Sequence, residues 1–188
     1  MKDKLPAERP SRLIGILKGF VLPLILTWAV LFVLFYLVFG IDIVDGNSMN
    51  PTLHDRDLLL YRRIFIDPQP GDIVIITVPE RDKRIVKRIV AADGQTVTVD
   101  LYGHVLRDGS PLTEDYALFG QTIRDYDVTF PLQVPDEQIF VLGDNRTISL
   151  DSRYQELGTV KREHIIGQVL HIFHPFDAHN LQFESTDH

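Results

Sequence analysis

The chain has 188 residues, with 19 Lys and Arg against 26 Asp and Glu for a net charge of −7, 45% hydrophobic residues and no cysteine. That length suits one ordinary domain plus one extra element. The missing thiols exclude disulfides, thiolate metal sites and a cysteine nucleophile, and the acidic balance excludes a protein that tracks nucleic-acid phosphates with clustered bases.

The charge is unevenly divided. Residues 1–40 hold five bases (Lys2, Lys4, Arg9, Arg12, Lys18) and two acids (Asp3, Glu8), so the rest of the chain carries the acidity. A basic head over residues 1–18 leads into an apolar run from Phe20 to Phe39, and no charged residue occurs between Lys18 and Asp42. About 20 such residues in a helix rise roughly 30 Å, the hydrocarbon thickness of a bilayer. A transmembrane helix is therefore expected over residues 19–41. The apolar core of a cleaved signal peptide is only about 7–15 residues long and ends at a small-x-small site, which this exit lacks. Bases collect on the cytoplasmic side of a span. The expected protein is thus single-pass in the cell membrane, with its N-terminus in the cytoplasm and an extracytoplasmic domain over residues 42–188.

That domain reads as mainly β. Short β-branched runs punctuated by Gly, Pro and Asp occur at residues 57–63, 72–78, 83–91, 95–101, 139–142 and 165–173. They predict an antiparallel sheet, with a hairpin turning near Tyr102-Gly103-His104. No stretch beyond residue 41 keeps helical periodicity for a dozen residues. Residues 110–137 are the least patterned and predict a loop-rich excursion.

The seven histidines contain no metalloprotease motif, and His171 and His174 fall on opposite faces of a strand, so neither a metal nor a cofactor is expected. Hydroxyl nucleophiles remain. In Val44-Asp-Gly-Asn-Ser48-Met-Asn-Pro, Gly46 permits a tight turn and Pro51 fixes the chain after Ser48. Alone, this is more often a plain capping or linker serine between anchor and domain. In Lys83-Arg-Ile-Val-Lys87-Arg88-Ile-Val90, alternation sets Lys87 between Ile85 and Ile89 on one face. Alone, such a lysine is usually one that snorkels to solvent. The run from Phe140 to Tyr154 is polar and turn-rich, and alone reads as a solvated loop.

In this order, behind a membrane anchor, the three segments resemble the bacterial type I signal peptidases. The nucleophile box of that family is similar to Ser48-Met49-Asn50-Pro51-Thr52-Leu53, the base box to Ile85-Val86-Lys87-Arg88, and the third box to Gly143 through Arg153. Weaker similarities lie at Gly71 to Val74, Val134-Pro135, Ile165 to Gly167 and Pro175 to Asp177. The single span looks like the members typical of Gram-positive bacteria.

The resemblance implies a serine endopeptidase that removes signal peptides from exported preproteins after a small-x-small motif, close to the export translocon. Ser48 would be the nucleophile and Lys87, neutral, the base; Ser149 would orient the lysine. The backbone N–H of Ser48 would serve the oxyanion, with the second donor open because Gly46 stands where some relatives carry a serine. Asp151 and Arg153 would pair beneath the site, Asp144 and Arg146 would shape the loop, and Val44, Met49, Leu53 and Val86 would wall the substrate cleft. The alternatives are a catalytically silent, membrane-tethered assembly or binding protein of the same fold, which the presence of both Ser48 and Lys87 disfavours, and a self-cleaving cytosolic repressor relative, which the span disfavours.

Overall fold

The computed structural model describes residues 17–79, 83–120 and 125–175. Most of the basic head, residues 121–124 of the excursion, and Phe176 and Asp177 lie outside the described residues. The chain divides into two units, Met1–Val38 and Phe39–His188.

In the first unit a π-helical turn, Leu17–Val21, runs into α1, Leu22–Val38. Its residues are apolar around the whole circumference and none is buried, so the helix has no face to turn toward a protein core. Pro23 stands in the first turn, where few amide donors are lost, and the Thr27 hydroxyl donates to the Pro23 carbonyl at 2.9 Å. Gly19–Val38 is long and apolar enough to cross a membrane.

The helix ends three residues earlier than the sequence reading placed it. Residues 39–41 open strand β1, Phe39–Ile43, which pairs antiparallel with β2, Leu58–Arg62. Backbone pairing wins here over continuation of the apolar run, and Gly40 allows it: a Cβ there would stand 2.3 Å from the Tyr61 ring.

The remaining strands of the second unit are β3 (Ile73–Val78), β4 (Lys83–Ala92), β5 (Thr96–Val99), β6 (Val105–Arg107), β7 (Ser110–Pro111), β8 (Leu132–Gln133), β9 (Gln138–Leu142), β10 (Val160–Lys161) and β11 (Ile165–Phe173). They form a seven-stranded sheet in the order β1-β2-β11-β3-β4-β9-β10 and a four-stranded sheet in the order β7-β6-β5-β8. Every pairing between these strands is antiparallel. The expected hairpin is present as β5 and β6. Within the excursion the described residues form only the two-residue strands β7 and β8.

Alternating side chains feed separate cores. From β9, Ile139 and Val141 join Val74, Ile76 and Ile89 in one cluster, while Phe140 and Leu142 join Val97, Val99 and Val105 in another. A third gathers Val44, Met49, Leu53, Leu59, Tyr61 and Ile75 beneath the segment carrying Ser48. Each such side chain, fully buried, contributes roughly 1.5–3 kcal/mol, so both strands and turns around Ser48 and Lys87 are held by apolar burial on several sides.

Candidate active site

Gly46 starts the turn that carries Ser48. Its φ of +94° lies in the left-handed region, which a side chain enters only with strain, and its N–H donates to Asp55 Oδ1 at 2.8 Å. The turn is closed at its base by the Val44 N–H on the Asp57 carbonyl, 2.8 Å, and the Arg56 N–H on the Val44 carbonyl, 2.9 Å. Inside it Met49 and Leu53 drop into the third core cluster. Ser48 is thus presented on a segment fixed by both backbone bonds and apolar anchors.

Lys87 comes from the middle of β4, opposite Val74 of β3. Its Nζ lies 2.7 Å from Ser48 Oγ, across 39 residues of sequence. The side chain is buried, and burial pushes the amine from its ordinary 10.5 down to about 8; Asp151 and Asp144 pull it back up, and Arg153 and Lys83 assist the fall. Desolvation dominates because an ammonium loses more hydration than distant charges return.

The third box builds the floor. Asp151 and Arg153 form a bidentate pair, Nε to Oδ1 at 2.7 Å and Nη2 to Oδ2 at 2.9 Å, and both side chains are wholly buried. Asp151 Oδ2 also accepts the Gly143 N–H at 3.0 Å. Arg146 grips Glu114 through 2.6 and 3.0 Å bonds and donates to the carbonyls of Gly143 and Gly103. Asp144 receives Arg88 bidentately, at 2.9 and 2.7 Å, and the Thr52 hydroxyl at 2.5 Å. Asp144 therefore ties the third box to both β4 and the Ser48 turn, which is more than shaping its own loop.

Two expected placements differ. Ser149 is buried near Ser48, and among the described residues its hydroxyl has no hydrogen-bond partner, Lys87 included. The backbone fixes it elsewhere: its N–H bonds the Asn145 carbonyl at 3.1 Å, and the hydroxyl faces Gly143, where a Cβ would stand 2.2 Å from Ser149 Oγ and 2.4 Å from the Ser48 carbonyl oxygen. Val44, Met49 and Val86 do line a cleft of about 630 Å³ together with Ser48 and Lys87, but Leu53 does not. The Leu53 N–H bonds the Met49 carbonyl at 2.9 Å, and its side chain is turned into the core with no exposure.

These geometries stand beside three comparisons with known proteins. The model of the family described as Signal peptidase, peptidase S26 matches residues 17–174. The chain belongs to the signal peptidase I family. A probable signal peptidase I-1 of Synechocystis is 38% identical over 143 residues, covering 70% of this chain and 69% of the relative. Signal peptidase I of Bacillus amyloliquefaciens is 34% identical, covering 74% and 78%, and signal peptidase I P of Bacillus subtilis subsp. natto is 30% identical, covering 90% and 94%. A crystal structure of a signal peptidase I from Enterococcus faecalis V583 matches with 32% identity and a TM-score of 0.45, covering 56% of this chain and 98% of that one. The protein is accordingly a serine endopeptidase of the type that cleaves signal peptides.

Several residues around the Ser48–Lys87 pair were missed by sequence reasoning. Arg88 had a signal, since it adjoins Lys87 in the base box, and so did Thr52 in the nucleophile box. Glu114 had none, lying in the unpatterned excursion, yet it is the buried partner of Arg146 and accepts the Tyr116 hydroxyl at 2.7 Å. Burial and the Glu114 carboxylate together push the Tyr116 hydroxyl far up. The spacing of the histidines also hid a cluster of His54, Asp57 and His174, whose donor atoms lie within 4.8 Å of one another.

Proposed function

We propose that Ser48 and Lys87 form the catalytic dyad of a membrane-tethered signal peptidase that cuts exported preproteins after a small-x-small motif. The observation that carries this reading is the 2.7 Å approach of Lys87 Nζ to Ser48 Oγ with the amine lowered to about 8. Neutral Lys87 accepts the Ser48 proton as Oγ attacks the scissile carbonyl, then returns it to the leaving amine as the acyl-enzyme forms. A water, deprotonated by the same amine, hydrolyses the ester and frees Ser48.

The N–H of Ser48 donates to none of the described residues, so it is available to the developing oxyanion. The Gly46 N–H, by contrast, is occupied by Asp55. Ser149 is the proposed orienting hydroxyl: buried, unbonded and beside the Ser48 carbonyl, it offers Lys87 a partner once Ser48 Oγ is esterified. Val44, Met49, Ile75 and Val86 give the cleft aliphatic walls, which suit small apolar side chains of an extended substrate adding to the sheet edge.

The apolar helix supports a single-pass anchor of about residues 19–38, with residues 1–18 cytoplasmic and the peptidase domain outside. Confinement to the layer where preproteins leave the translocon raises the effective concentration of the scissile bond. The deciding experiment reconstitutes the protein in lipid vesicles with a preprotein and follows the mature product. Wild type yields it, whereas Ser48→Ala and Lys87→Ala each lose it while keeping a cooperative thermal transition. Product from Lys87→Ala at near wild-type rate would remove the lysine from the mechanism.

A further inference from the structure

His54, Asp57 and His174 belong to no part of the proposed machinery and come from three places in the chain: the end of the Ser48 turn, the residue before β2, and the residue after β11. Asp57 Oδ2 accepts the His54 N–H at 2.7 Å and lies 2.7 Å from His174 Nδ1 and 3.8 Å from His54 Nδ1. The two imidazoles meet edge to face with centroids 6.0 Å apart. One donor atom from each of the three residues lies within 4.8 Å of the other two.

We propose that these three side chains bind a divalent transition-metal ion, zinc above all, which braces the Ser48 turn against the end of β11. Two imidazoles and one carboxylate are a donor set that zinc takes with water in the fourth position. Ligand atoms about 2.0–2.2 Å from zinc stand roughly 3.3 Å apart, so the His174 contact must lengthen and the His54 contact shorten. Their exposures make that adjustment cheap: the His54 and His174 side chains are 60% and 40% accessible, whereas the Asp57 carboxylate is only 6% accessible and is held by a backbone donor. A fixed buried carboxylate with two exposed rings over it can close on an ion without rebuilding the fold.

The ion would not touch the dyad. It would join Asp57, which closes the base of the Ser48 turn through its carbonyl bond to Val44, to the last described strand of the large sheet. The test uses untagged full-length protein in detergent micelles, stripped with chelator. Calorimetric titration with Zn²⁺ is expected to show one ion per chain, with His54→Ala and His174→Ala each weakening binding at least tenfold. Titration with Co²⁺ should give an intense visible absorption that both variants lose, and Zn²⁺ should raise the Tm of wild type but not of His54→Ala or His174→Ala. His104→Ala and His171→Ala, which alter exposed imidazoles outside the cluster, should bind as wild type does. Absence of saturable binding, or unchanged affinity in His54→Ala and His174→Ala, would leave the cluster as a plain imidazole–carboxylate hydrogen bond and overturn the proposal.

Discussion

A lysine that serves as a base near neutrality has to be denied water, and Lys87 is 3% exposed. Its amine, lowered to about 8, predicts an acid limb in kcat/KM with an apparent pKa near that value: activity falls about tenfold per pH unit below it. An acid limb near the ordinary lysine range would contradict the desolvated base. Lys87→Arg should be inactive at every pH, because a guanidinium does not give up its proton. The same shift affects stability. Between pH 8 and 10.5 the unfolded chain binds the proton and the folded chain does not, so stability rises with pH across that window and is lowest below it, by about 3 kcal/mol. Lys87→Met should therefore be more stable than wild type at pH 7, by up to about 2 kcal/mol after loss of the Ser48 hydrogen bond, and less stable by about 1 kcal/mol near pH 11 in urea titrations. Ser149→Ala separates two roles. Removing a buried hydroxyl with no partner among the described residues should leave stability equal or raise it by about 1 kcal/mol, while an orienting role lowers kcat and leaves KM unchanged.

Among the elements, the third box behaves as a rivet between strands rather than as a loop. Its buried arginines depend on partners, and Glu114 is the partner of Arg146. Glu114→Ala should destabilise the domain by about 3–5 kcal/mol, since it strands a buried guanidinium, and a urea midpoint reads the loss. Replacing both residues with apolar ones, Glu114→Leu with Arg146→Met, should recover much of it. This pair also shows where sequence reading ended. Strands such as Ile73–Val78 and Ile165–Phe173 were legible because their β-branched alternation is local. Ser48 and Lys87, which lie 2.7 Å apart, were legible as candidates because each sits in a short, patterned segment. Glu114 was not, because a pairing with a residue 32 positions away leaves no periodic mark. Strand β1 was hidden for a different reason: Phe39 and Ile41 simply extend the apolar run of the helix, and only the register with Leu60 and Arg62 reveals a strand.

At the scale of the whole molecule, the proposed topology predicts the outcome of proteolysis. Protease added outside right-side-out vesicles should digest the chain beyond residue 41 and spare residues 1–18, as the basic head requires; a protected peptidase domain would invert the assignment. The order of strands has one more consequence, for how the enzyme is born. Strand β11 is the last described strand to be synthesised, yet it lies between β2 and β3 in the large sheet. Among the described residues, the strand pairing between the half holding β1, β2 and the Ser48 turn and the half holding β3, β4 and Lys87 therefore runs through it. Before β11 is made, contacts outside the strand ladder join them, among them Thr52 and Arg88 on Asp144 and Ile75 against Val44 and Met49. Activity is therefore expected only once Ile165–Phe173 has paired with both. A premature stop codon just upstream of Ile165 would spare every codon of the dyad and of the third box and would still behave as a null allele.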